Sequence, residues 1–448
     1  MIRRASGNVL IAFYGDDFTG STDALEVASL AGLRTILFTR LPDEKTLSSF
    51  RDYDVIGVAG TARFRNPKWM DENLPAVFET LASLQPRVVH YKVCSTYDSS
   101  PTVGSIGRAT DIGTRVVGGS WSPAIIGAPQ LGRYQAFSNL FAVADGVRYR
   151  IDRHPTMSRH PVTPMNEGDL RLHLAAQTKR PVHGIDLVDI RTLDAVETRG
   201  PDCPVVFLDV CDEITQKCAG KLVWEDADPI LFSASSSGLE YALVAYWRSI
   251  GMLPEQRPEM APPSSIDRLL VLSGSCSAAT AKQIAYAEAN GFKSIRMDVA
   301  AASDPELAPS ELKRILSEVS KAFEVAKGVI VFAAKTVDDP AYQLLKDVSE
   351  RRGVDFTTAQ QSLGRFLGEV ARSTIPALSL RRVVVAGGDT SGAILEALPI
   401  HALEVDSPLD RGAPLCRCFS NEETFDGLQM SLKGGQMGKE EFFVSALG

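Results

Sequence analysis

Two adjacent carboxylates, Asp16 and Asp17, follow an apolar run at residues 9–14 that is typical of a buried strand. Carboxylates at such a position are costly unless they bind hydrogen-bond donors or a cation. We expect one of them to face a ligand and the other to cap the helix predicted at residues 22–30, because Asp is a preferred N-cap residue. A purely structural capping role for the pair is the alternative.

Two cations follow neighbouring predicted strands. Arg63 comes just after a strand predicted at residues 55–59, and Lys92 lies near the end of one predicted at residues 87–93. Arg and Lys bind carboxylates through charge-assisted hydrogen bonds, so with Asp17 they suit a small hydroxylated acid, its carboxylate on the cations and a hydroxyl near the Asp. A salt bridge at Arg63 and a solvated lysine at the strand end are the alternatives.

Three segments rich in Gly and Ser lie in the C-terminal part of the chain, at residues 273–277, 387–392 and 433–438. The first two stand between a predicted strand and a predicted helix. Free N–H groups at a helix start bind anions, and glycine lets the backbone approach a phosphate closely. One such segment is equally consistent with an ordinary turn, but three in one domain favour a nucleotide site. None of them matches a Walker A loop or the dinucleotide fingerprint.

The elements that position these residues predict an α/β protein of two domains, each a mostly parallel sheet flanked by helices. A stretch with four prolines at residues 251–265 is predicted to be a linker between domains at residues 1–250 and 266–448. Ligands of open α/β sheets collect at the C-terminal ends of the strands. We therefore expect the active site in the cleft between the two domains.

Composition narrows the function further. The chain has 448 residues and a net charge of -8, which argues against nucleic acid as a partner. No apolar stretch approaches the ~18 residues that a membrane span requires, so no membrane partner is expected. The seven cysteines show no metal-ligand spacing and fit a reducing cytoplasm. The oligomeric state is left open, a homo-oligomer included.

Five motifs, taken together and in this order, resemble those of the four-carbon acid sugar kinase family. They are Asp-Asp-Phe-Thr-Gly at 16–20, Lys-Val-Cys-Ser-Thr at 92–96, Ser-Gly-Ser-Cys-Ser at 273–277, Gly-Gly-Asp-Thr-Ser-Gly at 387–392 and Lys-Gly-Gly-Gln-Met-Gly at 433–438. The resemblance covers nearly the whole chain. It implies a kinase that binds a sugar acid in the N-terminal domain and ATP in the C-terminal domain. The implied substrates are threonate, erythronate, 3-oxo-tetronate or a branched oxo-acid such as 3-oxo-isoapionate.

The resemblance also implies roles for individual residues. The substrate side consists of Asp17, Arg63, Lys92, Val93, Cys94 and Ser95. The ATP side consists of Ser275, Ser277, Gly387, Gly388, Asp389, Thr390, Gly434, Gly435 and Gln436. We expect Asp17 to be the general base for the acceptor hydroxyl, with Asp16 orienting it or capping the helix. Mg²⁺ is expected to bridge the ATP phosphates, with no protein ligand assigned.

The chain departs from the family pattern at residues 97–105, where Thr-Leu-Arg-Gly-Asn is more usual. The arginine of threonate kinases is therefore missing, which puts the particular acid in doubt rather than the reaction. Tyr14 and Gly15 also stand where an alanine is commoner. One alternative is an NAD(P)-dependent sugar-acid dehydrogenase, but this chain lacks the GxGxxG motif that such an enzyme would carry. The other alternative is a non-catalytic sugar-acid sensor, which would not need the glycine-rich segments.

Overall fold

The computed structural model describes residues 9–144, 146–160, 162–193, 198–227, 229–256 and 259–448. The chain forms two compact units, Met1–Glu259 and Met260–Gly448. The division between them falls within the stretch 251–265 that the sequence predicts to be a linker. The predicted domain limits themselves stay a prediction.

The first unit contains a five-stranded sheet in which every strand is parallel to its neighbours, in the order β11-β4-β1-β3-β2. Its other two sheets are a parallel one, β5-β10-β9, and an antiparallel one, β6-β7-β8. The strands are β1 Ile11–Gly15, β2 Thr35–Phe38, β3 Val55–Ala59, β4 Val88–Lys92, β5 Ser122–Ala124, β6 Arg133–Ala136, β7 Asn139–Ala144, β8 Val147–Arg150, β9 Val182–Ile185, β10 Val205–Leu208 and β11 Leu231–Ser235. The α-helices are α1 Phe18–Leu30, α2 Glu44–Ser48, α3 Pro67–Ser83, α4 Ile106–Val117, α5 Leu170–Ala175, α6 Glu213–Glu225 and α7 Gly238–Ser249.

The second unit is built on a mixed sheet in the order β16-β17-β18-β15-β12-β14-β13. The strands from β18 to β13 are parallel, whereas β16, β17 and β18 pair antiparallel. The strands are β12 Leu269–Ser273, β13 Lys293–Arg296, β14 Gly328–Phe332, β15 Arg382–Ala386, β16 Ile400–Asp410, β17 Ala413–Ser420 and β18 Gln429–Lys433. The α-helices are α8 Ala278–Ala289, α9 Val299–Ala302, α10 Ala308–Ala322, α11 Pro340–Arg351, α12 Phe356–Leu378, α13 Gly388–Ala397 and α14 Phe442–Ser445.

The α/β class with two domains is confirmed, and the mostly parallel prediction needs a correction. Five strands of each unit form a parallel array, but antiparallel strands accompany both arrays. Most central parallel strands are apolar runs without alternation, the pattern expected where helices cover both faces of a sheet. All five residues of β1, β4, β12 and β15 are buried.

Register brings the ends of the central strands level with one another. In the first unit Gly15 lies opposite Ala59 on one side and Lys92 on the other. In the second unit Ala386 lies opposite Ser273 and Lys433. The segments that follow these strands therefore emerge side by side at one edge of each sheet.

Two bulk expectations can be checked against the fold. None of the seven cysteines, all of which lie within the described residues, forms a disulfide bond. Within the described ranges, no helix combines the length and the apolar character needed to cross a bilayer.

Candidate active site

Asp17 caps the helix that follows β1. Its backbone is extended, with φ -142° and ψ 163°, and its Oδ1 atom accepts hydrogen bonds from the Gly20 N–H at 2.5 Å and the Thr19 hydroxyl at 3.1 Å. These bonds satisfy donors that the first turn of a helix leaves unpaired. Of the two carboxylates, Asp17 is therefore the one that caps the helix, and the suggestion that Asp16 caps it was wrong.

Arg63 bridges two carboxylates. Its Nη1 donates to Asp17 Oδ2 at 2.8 Å, and its Nη2 donates to both oxygens of Asp98 at 2.9 and 3.0 Å. About a sixth of the Arg63 side chain stays exposed, against none of Asp98. Arg63 therefore reaches the surface of the site, but its charge is already shared between two protein carboxylates.

Asp98 is an acceptor at the centre of a buried network. Besides Arg63, it accepts from the hydroxyls of Thr96 at 2.5 Å and Thr163 at 2.8 Å. Burial alone would raise the pKa of Asp98, but Arg63 and these hydroxyls lower it to about 2. Asp98 is consequently ionised at neutral pH and fixes the guanidinium in one orientation.

Lys92 lies behind this pair and is almost wholly buried. Its ammonium donates to the Val93 carbonyl at 3.0 Å and lies 3.5 Å from Asp23 Oδ2. Burial lowers the pKa of a lysine, but Asp23 and the neighbouring carboxylates raise that of Lys92 above its usual value. The charge of Lys92 is paired inside the protein, so the alternative of a solvated lysine at the strand end was wrong, whereas its contact with a substrate carboxylate stays a prediction.

Asp16 is buried beside Asp17, Arg63 and Lys92, but one of its carboxyl oxygens has no hydrogen-bond partner among the described residues. Its backbone N–H donates to the Lys92 carbonyl at 2.9 Å, and its own carbonyl accepts from the Arg63 N–H at 3.1 Å. Its side-chain Oδ1 atom is buried and has no hydrogen-bond partner among the described residues. Burial, and next the charge of Asp17, raise the pKa of Asp16 to about 8.

The carboxylates outnumber the cations in this group. Asp16, Asp17, Asp23 and Asp98 stand against Arg63 and Lys92. Burial raises the pKa of Asp23 as well as that of Asp16, whereas Arg63 lowers the pKa of Asp17 despite its burial. Such an excess of acceptors suits hydroxyl groups at least as well as a carboxylate.

The remaining residues predicted on the substrate side lie in the turn after β4. Val93 is buried, and its N–H donates to the Ser235 carbonyl at 2.8 Å. Cys94 accepts from the Thr96 hydroxyl at 3.1 Å. Cys94 and Ser95 are half-buried, so of the three they are the two that a ligand can reach.

In the second unit the three Gly/Ser segments meet at one edge of the sheet, since they follow the adjacent strands β12, β15 and β18. The Gly387 N–H donates to the Lys433 carbonyl at 2.8 Å, and the Gly274 N–H donates to the Ala386 carbonyl at 3.1 Å. This convergence of the segments is what an anion cradle built from several loops requires.

The serines of the first segment are engaged in a hydroxyl network. Ser277 caps α8 by accepting from the Thr280 N–H at 3.1 Å, and its hydroxyl donates to the Gly435 carbonyl. The Thr280 hydroxyl contacts Ser275 Oγ at 3.0 Å and the Gly435 carbonyl at 3.1 Å. Ser275 and Ser277 thus hold the loops together as they stand.

Glycine is required where the loops touch. A Cβ on Gly274 would lie 2.2 Å from Thr390 Oγ1, and one on Gly435 would lie 2.9 Å from Ser275 Oγ. Gly387 has φ 121°, a conformation that L side chains rarely adopt, and it precedes α13 without any side-chain cap. The first turn of α13 carries Gly388, the exposed Asp389 and Thr390.

Lys433 is a functional candidate that sequence reasoning missed, although it stood inside a quoted motif. Its side chain is fully buried, and its ammonium donates to the Thr280 hydroxyl and to the carbonyls of Gly434, Gly435 and Met437 at 3.0–3.3 Å. Burial lowers its pKa to about 7. Asp98 and Asp23 were missed as well, because nothing in their local sequence indicates a partner far along the chain.

The residues do not fit a metal held by the protein alone. Across the described ranges, no group of three or more His, Cys, Asp or Glu side chains is arranged to hold a metal ion. Mg²⁺ in kinase sites is usually held by substrate phosphates, waters and only one or two carboxylates, which requires no such group.

Comparison with known proteins agrees with the prediction that the first unit binds a sugar acid and the second binds a nucleotide. Residues 11–243 match the family of sugar-binding N-terminal domains, and residues 270–443 match that of nucleotide-binding C-terminal domains. The chain is 49% identical to a 3-oxo-isoapionate kinase of Paraburkholderia graminis over 97% of its length and 93% of the relative's. It is 28% identical to a 3-oxo-tetronate kinase of Pseudomonas fluorescens over 98% and 96% of the two chains.

Solved structures share the fold. A protein of Salmonella typhimurium LT2, described as a tRNA synthase, superposes with a TM-score of 0.74 at 22% identity, over 97% of this chain and 98% of the other. A Haemophilus influenzae protein gives a TM-score of 0.67 at 21% identity over the same shares. At such identities the likeness concerns the fold alone.

Proposed function

This chain belongs to the four-carbon acid sugar kinase family and is a kinase of a small sugar acid, and from that premise we propose that its acceptor is 3-oxo-isoapionate. The observation that carries the proposal is the 49% identity to the Paraburkholderia graminis enzyme over nearly the full length of both chains. Identity to the 3-oxo-tetronate kinases is only 28% or less. The missing arginine at residues 97–105 supports the same choice, because it argues against threonate.

We place the acid against Asp17 and Arg63. Arg63 is the more exposed of the two cations, at 16% of its side chain against 2% for Lys92, so it is the one that a substrate carboxylate can reach. Asp17 and the half-buried Cys94 and Ser95 stand ready for hydroxyl groups. Lys92 and Val93 are buried beneath this surface, so we propose that they position the residues that bind the acid and do not contact the acid themselves.

We place ATP at the three loops of the second unit. Gly387, Gly388, Asp389 and Thr390 begin α13, whose N-terminal N–H groups and dipole favour phosphate. Gly434, Gly435 and Gln436 lie on the adjacent loop. Ser277 contacts the Gly435 carbonyl of that loop directly, and Ser275 is linked to it through Thr280. Mg²⁺, when bound with ATP, neutralises phosphate charge.

Asp16 is our candidate for the general base, in place of Asp17. Both oxygens of Asp17 are held by donors, and Arg63 lowers its pKa, which makes Asp17 a weak base. Asp16 has an oxygen without a partner, and a pKa of about 8 matches the requirement for a base working near neutral pH. Asp17 is then the residue that orients, by holding Arg63 and the helix start.

The reaction follows from these placements. The ionised Asp16 accepts the proton of the acceptor hydroxyl while that oxygen forms a bond to the γ-phosphorus of ATP. The bond between this phosphorus and the β–γ bridging oxygen breaks, and ADP leaves. Catalysis of this kind depends mainly on positioning and on neutralising charge. The cleft between the domains stays a prediction for the place where acceptor and nucleotide meet.

The test is an ADP-release assay with purified protein, ATP and a panel of acids. We expect 3-oxo-isoapionate to give the highest kcat/KM, followed by 3-oxo-tetronate, with threonate and erythronate far behind. A higher kcat/KM for 3-oxo-tetronate would overturn the choice of acceptor. Hydride transfer with NAD(P)H in place of ADP release would revive the dehydrogenase alternative.

A further inference from the structure

Lys433 is a buried lysine whose partners are all uncharged. Its ammonium nitrogen lies within hydrogen-bond distance of one hydroxyl and three backbone carbonyls, and no carboxylate of the described residues lies within ion-pair distance of it. Placing an ammonium group in such a site costs free energy, because burial removes it from water and no carboxylate pairs with it directly. A side chain retained at that cost points to a task beyond filling space.

The partners of Lys433 define that task. Three of them are consecutive or nearly consecutive carbonyls of the loop after β18, at Gly434, Gly435 and Met437. A lysine ammonium has three N–H donors and no acceptor, so it draws carbonyl oxygens toward itself from one side. Within the described residues, the N–H groups of Gly435 and Gln436 donate to no protein acceptor. Because the carbonyls of this loop point toward the Lys433 ammonium group, the N–H groups of Gly435 and Gln436 are available to bind a ligand.

The same residue links this loop to the other two. The Lys433 backbone carbonyl accepts from the Gly387 N–H at the start of α13, 2.8 Å away. Its ammonium group donates to Thr280 Oγ1 at 3.1 Å, and Thr280 in turn contacts Ser275 and Gly435. One residue thus contacts, directly or through Thr280, all three segments that we assign to ATP.

We propose that Lys433 is a positioning residue for the nucleotide, which holds the carbonyls of the 434–437 loop inward so that its N–H groups meet the phosphates of ATP. The inference rests on the proposed ATP site in the second unit and deepens it. Lys433 acts through the loop and touches no reacting atom.

Lys433→Met is the direct test, because Met keeps most of the length of the side chain and removes every donor. Lys282→Met is the matched control, since Lys282 lies on α8 with 69% of its side chain exposed and a distant pairing to Glu440 at 4.0 Å. Calorimetric titration of the full-length proteins with ATP should show affinity about 10- to 100-fold lower for Lys433→Met, which is the range expected for charged hydrogen bonds. The control should bind like the wild type.

The kinetic readout separates positioning from general damage. We expect KM for ATP to rise in Lys433→Met while KM for the acid stays within about twofold of wild type. A merely structural role would instead change both KM values or lower the folded fraction.

Gln283→Leu provides a second variant in case Lys433→Met does not fold. Gln283 donates from Nε2 to the carbonyls of Met437, Gly438 and Lys439, the far end of the same loop, and carries no charge. Its replacement should weaken ATP binding about 3- to 10-fold.

The outcomes are distinct. Wild-type affinity for ATP in folded Lys433→Met, or in Gln283→Leu if the first variant does not fold, overturns the role of Lys433 and leaves the kinase assignment intact. Absence of ATP binding by the wild type overturns the proposed ATP site and this inference with it.

Discussion

Asp16 and Asp17 are neighbours in the chain, yet their carboxyl groups lie in opposite environments. Asp17 accepts from Arg63, Gly20 and Thr19, and Arg63 lowers its pKa despite burial. Asp16 has a buried oxygen without a partner, and burial raises its pKa to about 8. Two carboxyl groups whose environments separate their pKa values in this way suit two different roles.

Asp16→Asn should reduce kcat by about 10²- to 10⁴-fold, the usual contribution of a general base. ATP affinity should stay near the wild-type value, because the nucleotide loops belong to the other unit. Asp17→Asn, the matched variant, should mainly raise KM for the acid and lower Tm, since it weakens the pair with Arg63 and the helix cap. Steady-state kinetics will show which carboxylate is the base. If Asp17→Asn loses turnover and Asp16→Asn retains it, Asp17 is the base, as the family resemblance implies.

The pH dependence of kcat/KM should show one ionisation near pH 8, with activity rising toward higher pH. A base must be ionised, and the free enzyme holds Asp16 in its protonated form below its pKa of about 8. A profile that is flat between pH 6 and 9, measured at constant ionic strength, would speak against Asp16 as the base.

The raised pKa of Asp16 predicts that its contribution to the stability of the protein falls with rising pH, whereas the activity of the protein rises. The folded-state pKa of Asp16 lies above its unfolded value, so between about pH 4 and pH 8 the native state binds the proton that the unfolded state has lost. The contribution of Asp16 to stability is therefore largest at acidic pH and is lost as the pH rises through its folded-state pKa. Asp16→Asn should accordingly gain in Tm relative to wild type as the pH rises toward 8. A Tm difference that does not change with pH would contradict the assignment.

Arg63→Lys should raise KM for the acid about 10- to 100-fold and leave KM for ATP unchanged. The guanidinium binds Asp17 and Asp98 with separate nitrogen atoms, a geometry that an ammonium group cannot reproduce. Arg65→Lys is the control, because Arg65 is exposed and, among the described residues, its side chain forms hydrogen bonds only with the Thr61 hydroxyl, at 3.3–3.4 Å. Equal KM values for the acid in both variants would remove Arg63 from the substrate site.

Gly435→Ala should weaken ATP binding by about 10-fold or more, because its Cβ would lie 2.9 Å from Ser275 Oγ and push the two loops apart. Gly200→Ala is the matched control, since nothing lies within 4 Å of a Cβ there and its backbone conformation tolerates one. Thermal shift with ATP and ADP measures the difference. A full ligand-induced shift in Gly435→Ala would show that the loop tolerates the methyl group and does not contact the nucleotide closely.

Much of the parallel framework could be predicted from the sequence. The strand Val55–Ala59 has the predicted limits, and the segments at 273–277 and 387–392 each come at the end of a strand and lead into a helix, as predicted. Apolar runs that lack alternation, ended by Gly or Ser, mark buried parallel strands unambiguously when helical patterns lie between them. The first two Gly/Ser segments follow predicted strands, whereas the third follows β18, a strand that was not predicted, so the convergence of all three was not.

Other features depend on contacts that local patterns do not encode. The antiparallel hairpin of β16 and β17 was missed, since its register shifts interrupt the alternation of buried and exposed residues. Arg63 and Asp98 are 35 residues apart, and nothing near either one names the other as its partner. The burial of Lys433 likewise depends on the loop at residues 434–437, whose carbonyls surround its ammonium group, and its local sequence gave no sign of it.

The most direct test of the account is mass spectrometry of the acid recovered after incubation of the protein with ATP and 3-oxo-isoapionate. We predict a phosphate monoester of the acid, formed in a one-to-one ratio with ADP and about 10²- to 10⁴-fold more slowly when Asp16→Asn replaces the wild type. Recovery of the unmodified acid, with or without release of ADP to water, would contradict the assignment of this acid as the phosphoryl acceptor.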